Sequence, residues 1–209
     1  MSYTQTVGSS TLDLIKSLQS KAYLNQFFLA GGTALALYLD HRKSNDIDLF
    51  SNFDFNSGVI LEQIQHDFSF RLYLSASNTL KGFIGEINVD LLAHRYELIA
   101  GPETIHEVSV LSLPDIIAMK LNAISTSGQR SKDFIDIFYL LQHYDIAKML
   151  EFYKKKYKQE NVGHILKSLI YFDDVDLADW PVLIANPKLR WIDVRKRIEK
   201  VVMDYSRKA

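Results

Sequence analysis

The residues with the clearest chemical potential are two aspartates, Asp46 and Asp48, in the pentapeptide Asp46-Ile47-Asp48-Leu49-Phe50. Successive side chains of a β-strand point to opposite faces, so this spacing predicts that both carboxylates leave one face of a strand while Ile47 and Leu49 enter the core. Two like charges side by side repel unless a cation lies between them, and paired carboxylate oxygens suit Mg²⁺ or Mn²⁺. The pentapeptide therefore predicts a divalent-cation site. An acidic strand end without a ligand is the alternative interpretation.

A second predicted strand carries a further carboxylate, Asp90, in the segment Glu86-Ile87-Asn88-Val89-Asp90-Leu91-Leu92. Polar and apolar residues alternate along this segment, which indicates a strand with one polar face. If the strand lies beside the first, Asp90 joins Asp46 and Asp48 in a group of three carboxylates. Such a group can hold two divalent ions about 3.5–4 Å apart, as in phosphoryl transfer. The alternative is a solvated carboxylate on an edge strand.

A glycine pair, Gly31-Gly32, separates a predicted short strand from a predicted helix. Glycines let backbone N–H groups approach a phosphate closely, and a helix N-terminus supplies partial positive charge. Thr33 is predicted to cap the helix and to offer its hydroxyl to a phosphate oxygen. Asp46 follows Gly32 by 14 residues, enough for one short helix and a returning strand. The turn and the acidic pair are therefore expected at the same edge of one sheet, with a simple tight turn as the alternative.

Basic side chains near these elements are candidates for contact with phosphate. His41 and Arg42 come shortly before the acidic strand. Lys120 lies inside the apolar stripe of a predicted helix, where an unpaired ammonium group is costly. Asp133 is placed similarly on the next helix, whereas Asp136 lies nearer its polar edge. We expect Lys120 to meet the charge of a triphosphate and Asp133 to orient it or to help bind metal. A structural salt bridge between the two helices is the alternative.

The order of the predicted elements indicates an α+β protein. Strands are predicted at residues 27–30, 46–50, 70–74, 80–84, 86–92 and 105–111. Helices are predicted around residues 12–18, 34–40, 59–68, 112–124, 131–143, 146–157, 162–172 and 192–205, with a loop at 171–187. We divide the chain into an α/β core at residues 1–111 and a helical region at residues 112–209.

Composition excludes several classes of protein. The chain has 209 residues, of which 47% are hydrophobic and 23% charged, and this balance is typical of a globular protein. The absence of cysteine excludes disulfides, thiolate zinc sites and cysteine nucleophiles. The uncharged stretch at residues 27–39 is too short to cross a bilayer, and the first ten residues lack the pattern of a secretory signal. We expect a cytoplasmic protein with no membrane partner.

Charge is distributed unevenly along the chain. Residues 1–149 contain 11 Lys or Arg and 16 Asp or Glu, whereas residues 150–209 contain 13 and 9. The densest basic cluster is Lys154-Lys155-Lys156-Tyr157-Lys158. A basic C-terminal region would suit a catalytic body with an extension that binds a polyanion such as RNA. A solvated helix face is the alternative interpretation of the cluster.

These motifs, taken in order, resemble those of the AbiEii/AbiGii-type nucleotidyltransferase toxins of bacterial toxin–antitoxin systems. The resemblance covers about residues 27–141 and rests on four segments. They are Gly31-Gly32-Thr33-Ala34-Leu35-Ala36-Leu37, His41-Arg42-Lys43-Ser44-Asn45-Asp46-Ile47-Asp48-Leu49-Phe50, Lys120-Leu121-Asn122-Ala123 and Arg130-Ser131-Lys132-Asp133-Phe134-Ile135-Asp136-Ile137.

The resemblance implies a DNA polymerase β-like nucleotidyltransferase fold, a mixed sheet with flanking helices followed by a helical C-terminal half. It further implies a divalent metal, a nucleoside triphosphate donor and, as in characterised relatives, transfer to the 3′ end of tRNA. The implied roles are metal binding for Asp46 and Asp48, nucleotide binding for Gly32 and Thr33, and later catalytic positions for Lys120 and Asp133.

The leading hypothesis is a metal-dependent nucleotidyltransferase that acts on RNA as a toxin, with a cognate antitoxin as a possible partner. In this hypothesis Asp46, Asp48 and Asp90 bind Mg²⁺ or Mn²⁺. The nucleotide is bound by Gly31, Gly32, Thr33, Arg42 and Lys120. A protein hydroxyl or a small antibiotic-like molecule is the alternative acceptor, and a binding module without catalysis is the alternative from another class.

Overall fold

The computed structural model describes residues 5–208, which form a seven-stranded mixed sheet with eight α-helices. The strands are β1 (Phe28–Leu29), β2 (Ile47–Ser51), β3 (Arg71–Ala76), β4 (Thr79–Ile84), β5 (Ile87–Ala93), β6 (Glu103–Ile105) and β7 (Val108–Val110). The helices are α1 (Ser9–Gln19), α2 (Gly31–Leu39), α3 (Ser57–Phe68), α4 (Leu113–Thr126), α5 (Ser131–Leu140), α6 (Ile146–Tyr157), α7 (Gly163–Leu169) and α8 (Trp191–Ser206). The predicted α+β class is confirmed.

Strand β2 lies at the centre of the sheet, whose order is β3-β4-β5-β2-β1-β7-β6. It runs parallel to β5 and antiparallel to β1, and the register pairs Asp48 with Asp90. Ile47 and Leu49 are fully buried, as the alternation predicts. The central position matters because it places the chemistry-bearing strand beside both the glycine turn and the second acidic strand.

Helix α4 organises the helical region by packing against α2, α5, α6 and α7. Its start follows ordinary capping rules, because the Ser112 side chain accepts a hydrogen bond from the Asp115 backbone N–H and Pro114 lies in the first turn. Since α4 contacts α2 as well as the later helices, residues of the helical region reach the α/β core. The division of the chain at residues 111 and 112 stays a prediction.

The start of α2 differs from the predicted one. The helix begins at Gly31 after Ala30, so Thr33 lies inside the first turn and does not cap it. The Thr33 side chain is buried, and its hydroxyl bonds to the backbone carbonyl of Asp46 and to the Ser44 hydroxyl. Thr33 therefore ties the turn to the start of β2, and its hydroxyl bonds to protein groups.

Two turns also shorten the predicted strands. Gly85 has φ of +59°, and Glu86 lies with it in the turn between β4 and β5, so β5 begins at Ile87. The predicted strand at residues 105–111 is a hairpin, because His106 and Glu107 both have positive φ and separate β6 from β7. Local turn chemistry rather than hydrophobic patterning sets these boundaries.

The long segment predicted as a loop, residues 171–187, is irregular but well attached. Its backbone bonds to the segment that precedes β2, because Lys43 N–H donates to Val182 O and Ile184 N–H donates to His41 O. Its Asp176 N–H donates to Gln129 O, just before α5. The segment thus holds the residues before β2 and the start of α5 together.

A buried ion network joins the segment after α2, which contains His41 and Arg42, to helices α4 and α5. Asp136 of α5 is fully buried and accepts from Arg42 Nε at 2.6 Å and Arg42 Nη2 at 2.9 Å. Lys120 Nζ lies 2.8 Å from the same carboxylate, and His41 Nε2 also lies 2.8 Å from it. The prediction that Asp136 lies nearer a polar edge is wrong, because the wheel of α5 alone does not show that Arg42 and Lys120 pack against it.

The basic cluster at residues 154–158 is largely occupied by local partners. Lys156 is buried, and its Nζ lies 2.7 Å from Asp115 Oδ1. Lys154 pairs with Glu160 at 3.5 Å, and Lys158 pairs with Glu97 at 3.2 Å. These contacts favour a structural role for Lys156 in docking α6 on α4, and they weaken the expectation of a polyanion-binding extension here.

Within residues 5–208, the helices are too short or too polar to span a membrane.

We predict that Asp136→Asn lowers the free energy of unfolding by about 3 kcal/mol at pH 7, because it leaves Arg42 and Lys120 buried with too little negative charge. Arg42 and Lys120 hold the pKa of Asp136 well below its ordinary value, despite the burial that opposes this. The contribution is therefore full above pH 4 and is lost as the pH falls below it. Urea denaturation at several pH values measures the effect.

The matched control is Asp204→Asn, which removes an exposed carboxylate paired with Lys200 on α8. It should leave the urea midpoint unchanged, because exposed ion pairs contribute little. Equal midpoints for Asp136→Asn and wild type would contradict the assigned importance of the network.

Candidate active site

A cavity of about 140 Å³ lies where the N-terminus of α2, strand β2 and helices α4 and α5 meet. Its polar lining residues are Gly31, Gly32, Asp48, Lys120, Arg130 and Asp133, and its apolar lining residues are Phe50, Ile116, Met119 and Ala123. The structure therefore brings together the glycine turn, one aspartate of the acidic pair and the two charged helical residues that the sequence singled out.

Asp48 lies directly against the glycine turn. Gly31 has φ of +66°, and a Cβ atom at this position would lie 2.0 Å from Asp48 Oδ2. The backbone is also linked here, because the Ala30 N–H donates to the Asp48 carbonyl at 2.9 Å. The backbone conformation and the Asp48 carboxylate thus both exclude a side chain at position 31, which explains why this residue is glycine.

Asp46 lies immediately before β2 and is exposed. It lines a neighbouring groove with Lys43, Lys132 and Trp180, rather than the cavity that contains Asp48. Its carboxylate is close enough to Asp48 to contribute to the raised pKa of that residue. Asp46 thus lines the neighbouring groove, close enough to Asp48 for their charges to interact.

The electrostatics of Asp48 indicate uncompensated negative charge. Burial and the neighbouring Asp90 raise the pKa of Asp48 to about 6. Lys120 acts in the opposite direction, and Asp46 raises the pKa by less than Lys120 lowers it. Among the described residues, neither Asp48 nor Asp46 has a side-chain hydrogen bond or ion pair. A cation bound beside Asp48 would stabilise its ionised form, which burial and the neighbouring carboxylates disfavour.

Asp90 lies beside Asp48 in the register but is already occupied. Its carboxylate forms an ion pair with Lys81 of β4, and it accepts hydrogen bonds from Tyr73 Oη at 3.4 Å and Asn88 Nδ2 at 3.3 Å. In the part of the chain that the structure describes, no three acidic or histidine side chains are grouped closely enough to hold a metal ion. The expected three-carboxylate group is therefore not found among the described residues, and Asp90 is paired with Lys81 instead.

Arg42, predicted to bind nucleotide, is instead buried in the ion network. Its guanidinium lies behind Gly32, where a Cβ atom would be 2.4 Å from Arg42 Nη2. Asp136 raises the pKa of Arg42 even though burial opposes this. Arg42 lines the neighbouring groove with Asp46 but not the cavity of Asp48, and its contact with phosphate stays a prediction. Its bidentate pairing with Asp136 is what holds it in the ion network.

Lys120 and Asp133 meet as predicted, at 2.6 Å between Nζ and Oδ1. Lys120 is buried, and Asp133 with Asp136 keeps its pKa above the ordinary value even though burial acts in the opposite direction. Both Lys120 and Asp133 line the cavity, so their salt bridge lies at the cavity wall, and their role in catalysis stays a prediction. Lys120 is held charged and in a fixed place at the cavity wall.

Arg130 is the functional candidate that the residue-level reasoning left out. It lines the cavity, its side chain is 54% exposed, and its Nε lies 3.8 Å from Asp133 Oδ2. It is the N-cap residue of α5, so its side chain emerges at the end of the helix. The segment Arg130-Ser131-Lys132-Asp133 could have indicated this. Side chains three residues apart are neighbours on a helix, so Arg130 can reach the carboxylate of Asp133 and the cavity that Asp133 lines.

The N-terminus of α2 opens onto the same cavity. Within residues 5–208, no side chain caps this helix through a hydrogen bond. The first backbone N–H groups of a helix lack partners inside the helix and carry partial positive charge. Gly31 and Gly32 therefore present an uncapped helix end at a wall that also contains Lys120 and Arg130.

Comparison with known proteins agrees with this geometry. The family model described as "Nucleotidyl transferase AbiEii toxin, Type IV TA system" matches residues 13–73 and 85–206. An uncharacterised protein of Aquifex aeolicus (strain VF5), aq_aa25, is 32% identical over 168 residues, which cover 78% of this chain and 81% of the relative.

Solved structures of low sequence identity share the fold. MenT4, the nucleotidyltransferase toxin Rv2826c of Mycobacterium tuberculosis H37Rv, has a TM-score of 0.63 and 16% identity, covering 93% of this chain and 82% of its own. The antibiotic-resistance factor ANT(2'')-Ia has a TM-score of 0.51 and 17% identity, covering 69% of this chain and 88% of its own. With the family model matching most of the sequence, the chain belongs to the AbiEii nucleotidyltransferase toxin family.

Proposed function

We propose that this protein is a metal-dependent toxin that transfers a nucleoside monophosphate from a nucleoside triphosphate to the 3′ end of an RNA, with tRNA as the preferred acceptor. The observation that carries the proposal is the cavity itself. It combines an unpaired, half-buried carboxylate, Asp48, with a glycine turn and two cations, Lys120 and Arg130. These are the groups that phosphoryl transfer requires for positioning and charge stabilisation.

The triphosphate is bound at the wall formed by the N-terminus of α2, Lys120 and Arg130. The helix end offers backbone N–H groups to phosphate oxygens. Lys120 already neutralises part of the charge of Asp133 and Asp136, so its role is to hold a fixed positive charge at the wall. Arg130 is exposed and has only a loose contact with Asp133, which leaves its guanidinium available for bidentate phosphate binding.

Asp46 and Asp48 fit a divalent cation. Their carboxylates are free of side-chain partners within residues 5–208, and the raised pKa of Asp48 reports negative charge that protein groups leave uncompensated. Bound there, Mg²⁺ or Mn²⁺ would act as a Lewis acid toward phosphate oxygens. Asp90 supports this pair from the next strand, with Lys81 limiting the total negative charge.

In the reaction, the oxygen of the acceptor hydroxyl forms a bond to the α-phosphorus, and the bond from this phosphorus to the pyrophosphate oxygen breaks. The hydroxyl proton leaves to a carboxylate of the acidic pair or to water, and the pyrophosphate carries away the negative charge. Lys120 and Arg130 stabilise that charge as it develops. The proposal places the protein in the cytoplasm, where triphosphates, tRNA and a cognate antitoxin are found together.

We predict that purified protein, incubated with Mg²⁺ and each of the four labelled triphosphates in turn, transfers label to total RNA. Asp48→Asn should reduce this transfer at least 100-fold, on the order of the loss expected when a group that stabilises the transition state is removed. If the label appears in protein bands or in small molecules instead, the acceptor is a protein or a small molecule and not RNA. Binding of nucleotide without any transfer would indicate a binding module.

We predict that Asp48→Asn stabilises the metal-free protein at pH 8. Because the pKa of Asp48 is raised to about 6, ionising it costs free energy that is absent below pH 4 and reaches its full value above pH 6. Removing this cost should raise the free energy of unfolding by about 3 kcal/mol at pH 8 in EDTA and by nothing at pH 3.5. Urea denaturation at the two pH values measures the difference.

The same variant tests cation binding without an activity assay. Mg²⁺ should raise the melting temperature of the wild type and of the control Asp54→Asn, an exposed carboxylate on another part of the surface. It should not raise that of Asp48→Asn. An equal response of all three proteins to Mg²⁺ would place the cation elsewhere.

We predict that Arg130→Ala raises the KM for the triphosphate about tenfold and leaves the melting temperature unchanged. A charge-assisted hydrogen bond contributes about 1.5–3 kcal/mol, whereas an exposed arginine contributes little to stability. Steady-state label transfer at varied triphosphate concentration measures KM. The control is Arg95→Ala, an arginine of similar exposure that does not line the cavity, and an unchanged KM for Arg130→Ala would remove this residue from the nucleotide site.

A further inference from the structure

The hairpin of β3 and β4 carries an exposed surface that the nucleotide site does not use. We call it the hairpin face and define it as Arg71, Tyr73, Lys81 and Phe83. Every residue of β3 is exposed, and Tyr73 and Phe83 are 54% and 37% exposed. Large aromatic side chains on an edge strand are costly to leave in water and invite pairing or aggregation. Their exposure here therefore points to a ligand.

The hairpin face is continuous with the carboxylate of Asp48. In the register of the sheet, Asp48 on β2 pairs with Asp90 on β5, and Asp90 pairs with Lys81 on β4. Directly paired residues of neighbouring strands place their side chains on the same face of the sheet. One face thus runs from the reaction centre, across Asp90 and Lys81, to the edge of the sheet.

A β-bulge aims Tyr73 along this face. The pairing of β3 with β4 shifts between Leu72 and Leu74, which leaves Tyr73 as the extra residue. Its hydroxyl donates to Asn88 Oδ1 at 3.1 Å and lies 3.4 Å from Asp90 Oδ1. Bulges re-aim side chains near active sites. Tyr73 is therefore tied by its hydroxyl to the residue that neighbours Asp48, while its ring stays exposed.

The composition of the face matches single-stranded RNA. The rings of Tyr73 and Phe83 lie 5.3 Å apart, and the Arg71 guanidinium lies 5.9 Å from the Phe83 ring centroid. Lys81 adds a second cation, with one third of its side chain exposed. Proteins bind unpaired nucleotides by stacking bases on aromatic rings and by placing Arg and Lys near the phosphates.

We propose that the hairpin face is the platform for the acceptor strand, on which the last unpaired nucleotides of an RNA stack so that its 3′ hydroxyl reaches the centre at Asp48. This inference rests on the proposed RNA acceptor and adds the surface that recognises it. The rings of Tyr73 and Phe83 bind the bases, and Arg71 and Lys81 bind the phosphates. Since stacking tolerates any base, the face selects a single-stranded end rather than a sequence.

The test compares Tyr73→Ala and Phe83→Ala with wild type in label transfer to total tRNA. Each variant should raise the KM for RNA about tenfold, because stacking of one base contributes on the order of that factor, and should leave the KM for the triphosphate unchanged. A fluorescent single-stranded oligoadenylate gives a second readout. Its affinity, measured by anisotropy without triphosphate, should fall by a similar factor.

Two further variants separate stacking from other effects. Tyr73→Phe keeps the ring and removes the hydroxyl contacts with Asn88 and Asp90, so it should keep the KM for RNA within about twofold of wild type. Tyr171→Ala removes a tyrosine of matched exposure, 51%, from the segment after α7 and should change neither readout. Loss of RNA affinity in Tyr73→Phe equal to that in Tyr73→Ala would overturn the stacking role.

The possible outcomes distinguish this inference from the proposed function. Transfer of label to RNA with unchanged KM in Tyr73→Ala and Phe83→Ala would overturn the platform and leave the RNA acceptor standing. Absence of transfer to any RNA by the wild-type protein would overturn the proposed acceptor itself. Variants that keep the KM for RNA but lose a copurifying protein would assign the face to a protein partner and overturn the proposal.

Discussion

The sharing of one buried carboxylate by several cations is the interaction on which the rest of the site depends. Asp136 accepts from Arg42 through two nitrogen atoms and lies 2.8 Å from Lys120 Nζ. Arg42 comes from the segment before β2, whereas Lys120 and Asp136 come from α4 and α5. The ion network therefore fixes the helical region against the sheet. Removing one partner would leave the others buried without compensation, so the arrangement is held as a unit.

Opposite electrostatic situations lie side by side in the cavity. On the helical side, Lys120 is held charged by Asp133 and Asp136, and Arg130 has only a loose contact with Asp133. On the sheet side, Asp48 lies against Gly31, and burial together with the charge of Asp90 raises the pKa of Asp48 to about 6. In the proposed function, the phosphates of a triphosphate lie at the wall with Lys120 and Arg130, and a divalent cation lies at the acidic pair. The protein keeps these charges in place before any substrate arrives, which is the basis of electrostatic preorganisation.

Much of the site was predictable because its signals are local. The alternation in Asp46-Ile47-Asp48-Leu49 requires only the twofold period of a strand, and Leu49 is buried as that period demands. The position of Lys120 in an apolar stripe needed only the helical period, which also indicated that it has a charged partner. Arg42 and Thr33 have protein partners that the sequence did not indicate, and the reason is common to both. Whether a polar group faces a ligand or the protein interior depends on what packs against it, and neither Ser44 nor Asp136 could be identified as a partner from spacing.

The sequence by itself determined the types of element, the acidic pair at the start of β2, the glycine turn and the family. The tertiary structure decided that Asp90 is paired with Lys81 and that Arg130 rather than Arg42 lines the cavity of Asp48. It also decided that a bulge directs the Tyr73 hydroxyl to Asn88 and Asp90. The physical reason is one of range. Backbone periodicity fixes the direction of a side chain relative to its own strand or helix, whereas its partner is set by strand order, register and helix packing, which join residues distant in the chain.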